Sequence, residues 1–258
     1  MQRQIVDLSV PLENGVPADP AGYELSIEYL GHKDTLHWWT ERYRNLDPQT
    51  LRNGEAFALE RLHLSTHNGT HVDAPWHYAS SMMNGDPSAK IDEMPLEWFF
   101  GRGVKLDFRR FPDGYVVTAA DVDEELGRIE HQLEPFDIVL VNTSAGEKFG
   151  QHDYVESGCG MGREATLYLT SRGVRVTGTD AWSWDVPYKF MAERFGKTGD
   201  VSQIWEGHRA GTEIAYCHIE KLNNLEVLPP HGFQVACFPV KIRAASAGWT
   251  RAVAIIDE

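Results

Sequence analysis

Two segments in the middle of the chain, TAADVDEELGRI (118–129) and GREATLYLTSRG (162–173), read as helices, and each is followed by an apolar run rich in β-branched residues, DIVLVNT (137–143) and VRVTGT (174–179). Thr118 stands as an N-cap with Asp121 three residues on, and Val122, Leu126 and Ile129 share one face. Gly173 is placed to stop the second helix. Helix and strand therefore alternate in the centre. The ends are richer in strands: QIVDLSV (4–10), FALERLHLS (57–65), GVKLDF (103–108), FQVACFPVKI (233–242) and RAVAIID (251–257). Such a mixture predicts an α/β fold with a mixed sheet flanked by helices. No internal repeat or Pro/Gly/Ser linker divides the 258 residues, so the expectation is one domain spanning 1–258. Residues 11–56 stand apart as a long polar and aromatic stretch around DTLHWWTERYRNLDP. A stretch of this kind is functional or disordered, and Trp38, Trp39 and Tyr43 argue against disorder.

Charge narrows the partners. The chain carries 24 Lys and Arg against 38 Asp and Glu, a net charge of −14, which argues against nucleic acid or an anionic membrane but leaves a small-molecule partner open. Cys159, Cys217 and Cys237 are scattered with no CxxC, so neither a disulfide framework nor a thiolate zinc site is indicated. Asp7 interrupts the apolar start MQRQIVDLSVPL, and no apolar run nears the roughly 18 residues that span a bilayer. The expectation is a soluble cytoplasmic protein.

One segment, HLSTHNGTHVDAPWH (63–77), gathers four of the 11 histidines around an aspartate. His67, His71 and Asp73 are all odd-numbered, so in an extended chain their side chains point to one face. A helix would also bring His67 and His71 together, but Gly69, Thr70 and Val72 are poor helix formers and Pro75 steers Ala74 away from helix. Two neutral imidazoles and a carboxylate suit a divalent ion such as Zn2+ or Mn2+. Three protein ligands leave a position for a water, whose pKa the ion lowers to about 7. Gly69 would let the backbone pass close to the ion. His77, beyond Pro75, is a candidate general base and acid. His63 reads as a bystander. The HExxH arrangement of zinc proteases is absent, since Asn68 stands where the glutamate would be. SGCGMGRE (157–164) has Arg163 where a dinucleotide fingerprint needs its third glycine, and no GxSxG is present.

HNGTHVDAPWH resembles the HxGTHxDxPxH motif of the metal-dependent cyclase family of hydrolases, which includes bacterial kynurenine formamidases and isatin hydrolases. GVRVTGTDAWSWDVP and the tail from GHRAGTEIAYCHIEKLNNL onward are similar to later regions of that family, so the resemblance runs from about residue 57 to the end. It implies a swivelling β/α cyclase-like fold, His67, His71 and Asp73 as ligands, and His77 as acid/base. In the formamidases a later histidine and a glutamate twelve residues on complete a second metal site with the aspartate bridging. His208 and Glu220 stand in that relation here. Isatin hydrolases carry asparagine in place of that glutamate and use one manganese, so one or two ions are implied. The resemblance also implies a homodimer or higher homo-oligomer, with an N-terminal segment reaching the partner's site.

The implied chemistry is hydrolysis of a C–N amide bond, on an aryl-formamide or a cyclic, isatin-like amide, with His77 moving the proton. Trp76, Trp182, Ser183 and Trp184, near the motif and after the strand at 174–179, together with Trp38 and Trp39 from the N-terminal stretch, are candidates to line a pocket for a ring-bearing substrate. Ser183 and Asp185 are placed to position the substrate or brace a ligand histidine. The alternatives are lactone hydrolysis or dehydrating cyclisation on the same site, or a non-catalytic protein that holds a carboxylate through its metal.

Overall fold

A computed structural model describes residues 3–257. In chain order the strands are β1 (Arg3–Asp7), β2 (Ser26–Leu30), β3 (Leu59–His63), β4 (His71–Asp73), β5 (Phe100–Asp107), β6 (Val116–Val117), β7 (Ile138–Asn142), β8 (Gly160–Met161), β9 (Val176–Thr179), β10 (Cys217–Glu220), β11 (His231–Ala236), β12 (Ala247–Trp249) and β13 (Val253–Asp257). The α-helices are α1 (Leu36–Arg42), α2 (Pro75–Tyr78), α3 (Ala119–Arg128), α4 (Arg163–Ser171), α5 (Tyr188–Thr198) and α6 (Glu206–Ala210). Nine strands form one mixed sheet in the order β1-β13-β11-β5-β7-β9-β10-β4-β12.

The helix–strand alternation seen in the sequence becomes the parallel centre of this sheet. β5, β7, β9 and β10 run parallel in adjacent pairs, and antiparallel strands extend the sheet on both sides. β7 is buried along its whole length, as expected of a parallel strand covered on both faces. Its period of two feeds two cores: Ile138 and Leu140 pack with Phe99, Ile219 and Phe233, while Val139 and Val141 pack with Phe108, Leu169 and Trp184. α3 begins at the expected capping box, in which Thr118 Oγ1 accepts from Asp121 N and the Asp121 carboxylate accepts from Thr118 N. Its Val122 and Leu126 are buried, each contributing roughly 1.5–3 kcal/mol.

Three expectations shift. The segment 57–65 supplies β3, which pairs with β2 in a separate two-stranded sheet. The run at 233–242 stops as a strand at Ala236, before Pro239, which cannot donate to a ladder. The sequence does not foretell β10, because CHIE is short and half polar, and α5 is a further element outside the expected set. β2, β3 and α1 form a solvent-facing arm: α1 buries no residue, and Tyr29 and Leu62 are 61% and 50% exposed. Among the described residues no helix is long and apolar enough to cross a membrane.

Candidate metal centre

β4 and β10 lie antiparallel with His71 opposite Glu220 and Asp73 opposite His218. Positions two apart on a strand share a face, so each strand presents one imidazole and one carboxylate, and unlike groups face each other. His71 Nε2 is 3.4 Å from Asp73 Oδ1 and 3.5 Å from Glu220 Oε2. His218 Nε2 is 3.2 Å from both Asp73 Oδ2 and Glu220 Oε1. The opposite faces of these strands, Val72, Cys217 and Ile219, sit in the hydrophobic core.

The other donors arrive from loops and helices. The parity rule holds for His71 and Asp73, but β4 begins only at His71, and His67 comes from the preceding turn. Its Nδ1 lies 2.9 Å from Asp73 Oδ1, while Nε2 reaches Ser246 Oγ at 3.1 Å. Ala74 is extended, as Pro75 requires, and Pro75 opens α2. That single turn swings His77 back so that its Nε2 is 3.8 Å from Asp73 Oδ2. His208, on α6, places Nε2 3.7 Å from Glu220 Oε1.

Hydrogen bonds at the far nitrogens orient these rings. Gly69 O accepts from His71 Nδ1 at 2.9 Å. Gly69 itself has φ +64, and a Cβ there would meet Leu12 Cδ2 at 2.5 Å, so the glycine answers to backbone conformation and to Leu12. Asp185 accepts from His208 Nδ1 at 2.6 Å and from the backbone N–H groups of Gly207 and His208. With Nδ1 so engaged, both rings turn Nε2 toward the carboxylates.

The residues fit a divalent cation. His71 Nε2, His218 Nε2 and both carboxylate oxygens of Asp73 are buried without a hydrogen-bond partner. Orphaned buried polar atoms are costly, and a bound ion satisfies lone pairs of imidazoles and carboxylates together. Donor atoms of Asp73, His208, His218 and Glu220 all lie within 4.8 Å of one another, as do those of His67, Asp73 and His77. Without an ion, burial pushes the His71 and His218 pKa values down, but Asp73 and Glu220 overcome this and raise them to about 10 and about 9. Burial likewise opposes ionisation of Asp73 and Glu220, yet the surrounding imidazoles hold both well below the usual carboxylate range. His77 behaves differently: burial dominates and lowers it to about 4, against the pull of Asp73.

The centre opens into a cavity of about 460 Å³ walled by Tyr23, Trp182, Tyr188 and Trp205, with Ser183, His77 and Glu220 also lining it. Trp205 stacks on His208 with ring centroids 4.5 Å apart. The rim is tied down through Asp19, which pairs with Lys221 and accepts from Asn68 Nδ2 at 2.8 Å and Trp182 Nε1 at 3.3 Å.

Four of the six pocket residues expected from sequence thus lie elsewhere. Trp184 is wholly buried in the core, its Nε1 donating to Thr166 Oγ1. Trp76 is 37% exposed beneath the Lys90 ammonium. Trp38 and Trp39 pack on Phe57 in the arm. His63 is exposed on β3. Sequence reasoning missed His218, Tyr23, Tyr188 and Trp205. For His218 a signal existed, since His-x-Glu on a strand obeys the same parity as His-x-Asp.

The Cyclase family model ("Putative cyclase") matches residues 6–186. The chain belongs to the Cyclase family. This match starts well before residue 57, so the likeness takes in the N-terminal stretch that the motifs alone left unplaced. The chain is 25% identical over 252 residues to a kynurenine formamidase from Erythrobacter litoralis, covering 98% of this chain and 94% of that one. It is 27% identical over 224 residues to a kynurenine formamidase from Salinibacter ruber, covering 86% and 88%. Among solved structures, an isatin hydrolase bound to the product analogue thioisatinate superposes with a TM-score of 0.77 at 17% identity, covering 99% of this chain and 93% of that one. This last likeness carries the fold. The mixed α/β architecture is that of cyclase-family structures.

Proposed function

We propose that this cyclase-family protein is a metal-dependent amidohydrolase that cleaves a C–N bond in an aryl-formamide or a cyclic, isatin-like aryl amide. The observation that carries the reading is the set of buried, partnerless donors on β4 and β10, which opens beside His77 into an aromatic-walled cavity. The kynurenine formamidases it resembles support the bond type. His67, His71 and Asp73 would hold the ion, with His208 and Glu220 available to a second. The mixed imidazole and carboxylate donors support Mn2+ or Zn2+. When bound, the ion supplies Lewis acidity and an acidified water.

The chain's own residues do the rest. His77 is neutral at pH 7 and free to accept a proton, then return it to the leaving nitrogen. Asp73 Oδ2, 3.8 Å from His77 Nε2, favours the imidazolium while it lasts. Trp182, Tyr188 and Trp205 offer flat faces for the substrate ring. The deciding measurement is turnover of isatin, N-formylanilines and aryl lactones by the metal-loaded protein, with a chelated control. Hydrolysis of lactones alone, or of nothing, would sink the amidase reading. Within it, Trp182→Ala is expected to raise KM about tenfold with kcat little changed, the loss of roughly 1–1.5 kcal/mol of ring contact.

We further propose a soluble cytoplasmic homodimer. The buried free thiols support the compartment, and the exposed Tyr29, Tyr43 and Leu62 on the arm at Ser26–His63 support self-association. On this reading residues 11–56 divide their work, Asp19, Pro20 and Tyr23 closing the pocket and the arm meeting a second copy. Light scattering showing a monomer at micromolar concentration would refute the dimer.

A further inference from the structure

We infer that His218 is a protein donor to a second cation position, which it shares with Asp73, His208 and Glu220. Three independent features of the ring point there. First, its orientation is fixed by packing: the buried imidazole runs near-parallel to the rings of Tyr78 and Trp184, with ring centroids 5.2 and 5.9 Å away and interplanar angles of 12° and 15°. Second, its tautomer is set by its neighbours. Tyr78 Oη donates to Asp73 O at 3.4 Å, and Tyr216 Oη donates to Gly207 O at 2.8 Å. Both hydroxyl protons are thus engaged, and each oxygen is left to accept from His218 Nδ1, 3.0 Å from Tyr78 and 3.3 Å from Tyr216. With Nδ1 as the donor there, the neutral ring that meets a cation would offer its lone pair at Nε2. Third, that Nε2 is wholly buried without a hydrogen-bond partner and stands 3.2 Å from one oxygen of each carboxylate.

Donors around a tetrahedral ion held at about 2.0–2.1 Å lie roughly 3.3 Å apart. The separations of His218 Nε2 from Asp73 Oδ2 and Glu220 Oε1, both 3.2 Å, and of His208 Nε2 from Glu220 Oε1, 3.7 Å, fall around that value. Two nitrogens and two carboxylate oxygens make a closed four-donor set, the pattern of structural rather than open catalytic sites. An ion on these four donors would be the more tightly held, and one on His67, His71 and Asp73, with three protein donors, would exchange more readily. This rests on the metal-dependent reading above, but not on any particular substrate.

The test counts ions, not turnover. Metal-stripped protein is titrated with Co2+ or Zn2+ and dialysed against a weak chelator, and bound metal is read by mass spectrometry and by visible absorption of the cobalt form. The wild-type chain is expected to take up two ions and retain one. His218→Leu should lose the retained ion, weakening that step at least ~100-fold, a larger effect than outer-shell mutations have, while the other ion still binds. His218→Gln, which keeps a polar contact to Tyr78, covers the case in which the leucine variant does not fold. A wild-type chain that binds a single ion overturns the inference without any variant, and so do folded variants that retain both ions at unchanged affinity. If ion counts fall as expected and the wild type hydrolyses no amide, the proposed reaction fails and the assignment of His218 stands.

Discussion

Replacing Asp73 with asparagine is expected to lower turnover at least about a thousandfold and to deplete bound metal, because several kcal/mol of ion-based stabilisation vanish together. The expectation follows from position. Asp73 is wholly buried and faces four imidazoles, with His67, His71, His218 and His77 at 2.9, 3.4, 3.2 and 3.8 Å. The amide of asparagine fills the same space but removes the charge to which all four respond. In metal-stripped protein the change should also destabilise the fold by about 3–5 kcal/mol, the usual cost of leaving buried charge unpaired. Its pH dependence has a definite sign. Asp73 is depressed below its unfolded value, so its stabilisation is present above about pH 4 and is lost as pH falls further. His71 is raised to about 10, so its share is complete below about pH 6.5 and fades as pH climbs toward 10. The stability gap between wild type and Asp73→Asn should therefore be widest between about pH 4 and 6.5. Urea titrations of the stripped proteins at pH 5.5 and 9.5 read it directly. A variant that keeps its metal and its rate would remove Asp73 from the centre.

Much of the frame was legible because the relevant signals are local. The capping box at Thr118 and Asp121 and the unbroken apolar run of β7 state helix and buried strand within a few residues. The same holds for His71 and Asp73, whose shared face is a consequence of strand geometry over three residues. What stayed hidden depends on contacts between distant segments. His67 reaches Asp73 through a turn whose shape comes from Gly69 and Leu12. His218 meets Asp73 only because β10 pairs with β4 across nearly 150 residues. The tryptophans show the limit most clearly: Trp182 and Trp184 are two apart, yet one lines the cavity and the other lies in the core. Burial in the tertiary structure, which no short window reports, separates them.

His77→Ala is expected to reduce kcat by about 10²–10⁴, the range for a lost general acid–base group, while bound metal stays at the wild-type level. Metal retention separates the proposed roles. His77 sits on α2, beyond the strand that carries the buried donors, and its Nε2 is 3.8 Å from Asp73 Oδ2 while Asp73 Oδ1 faces His67 and His71. A ligand at that place would take metal with it when removed. A proton carrier would not. Burial also lowers the His77 pKa to about 4, so the ring is neutral across the mildly acidic range. Wild-type turnover should accordingly hold as pH drops toward 5 and fall as His77 becomes protonated below that, and this acid limb should be missing in the alanine variant. Imidazole added to the variant should restore part of the rate, because a small base can enter the space vacated beside the cavity. A protein that merely gripped a carboxylate through its metal would show none of these effects: ligand affinity would be untouched by His77→Ala, and there would be no rate to lose or rescue. Loss of metal in His77→Ala equal to that in Asp73→Asn would move His77 into the ligand set and leave the proton transfer without an owner.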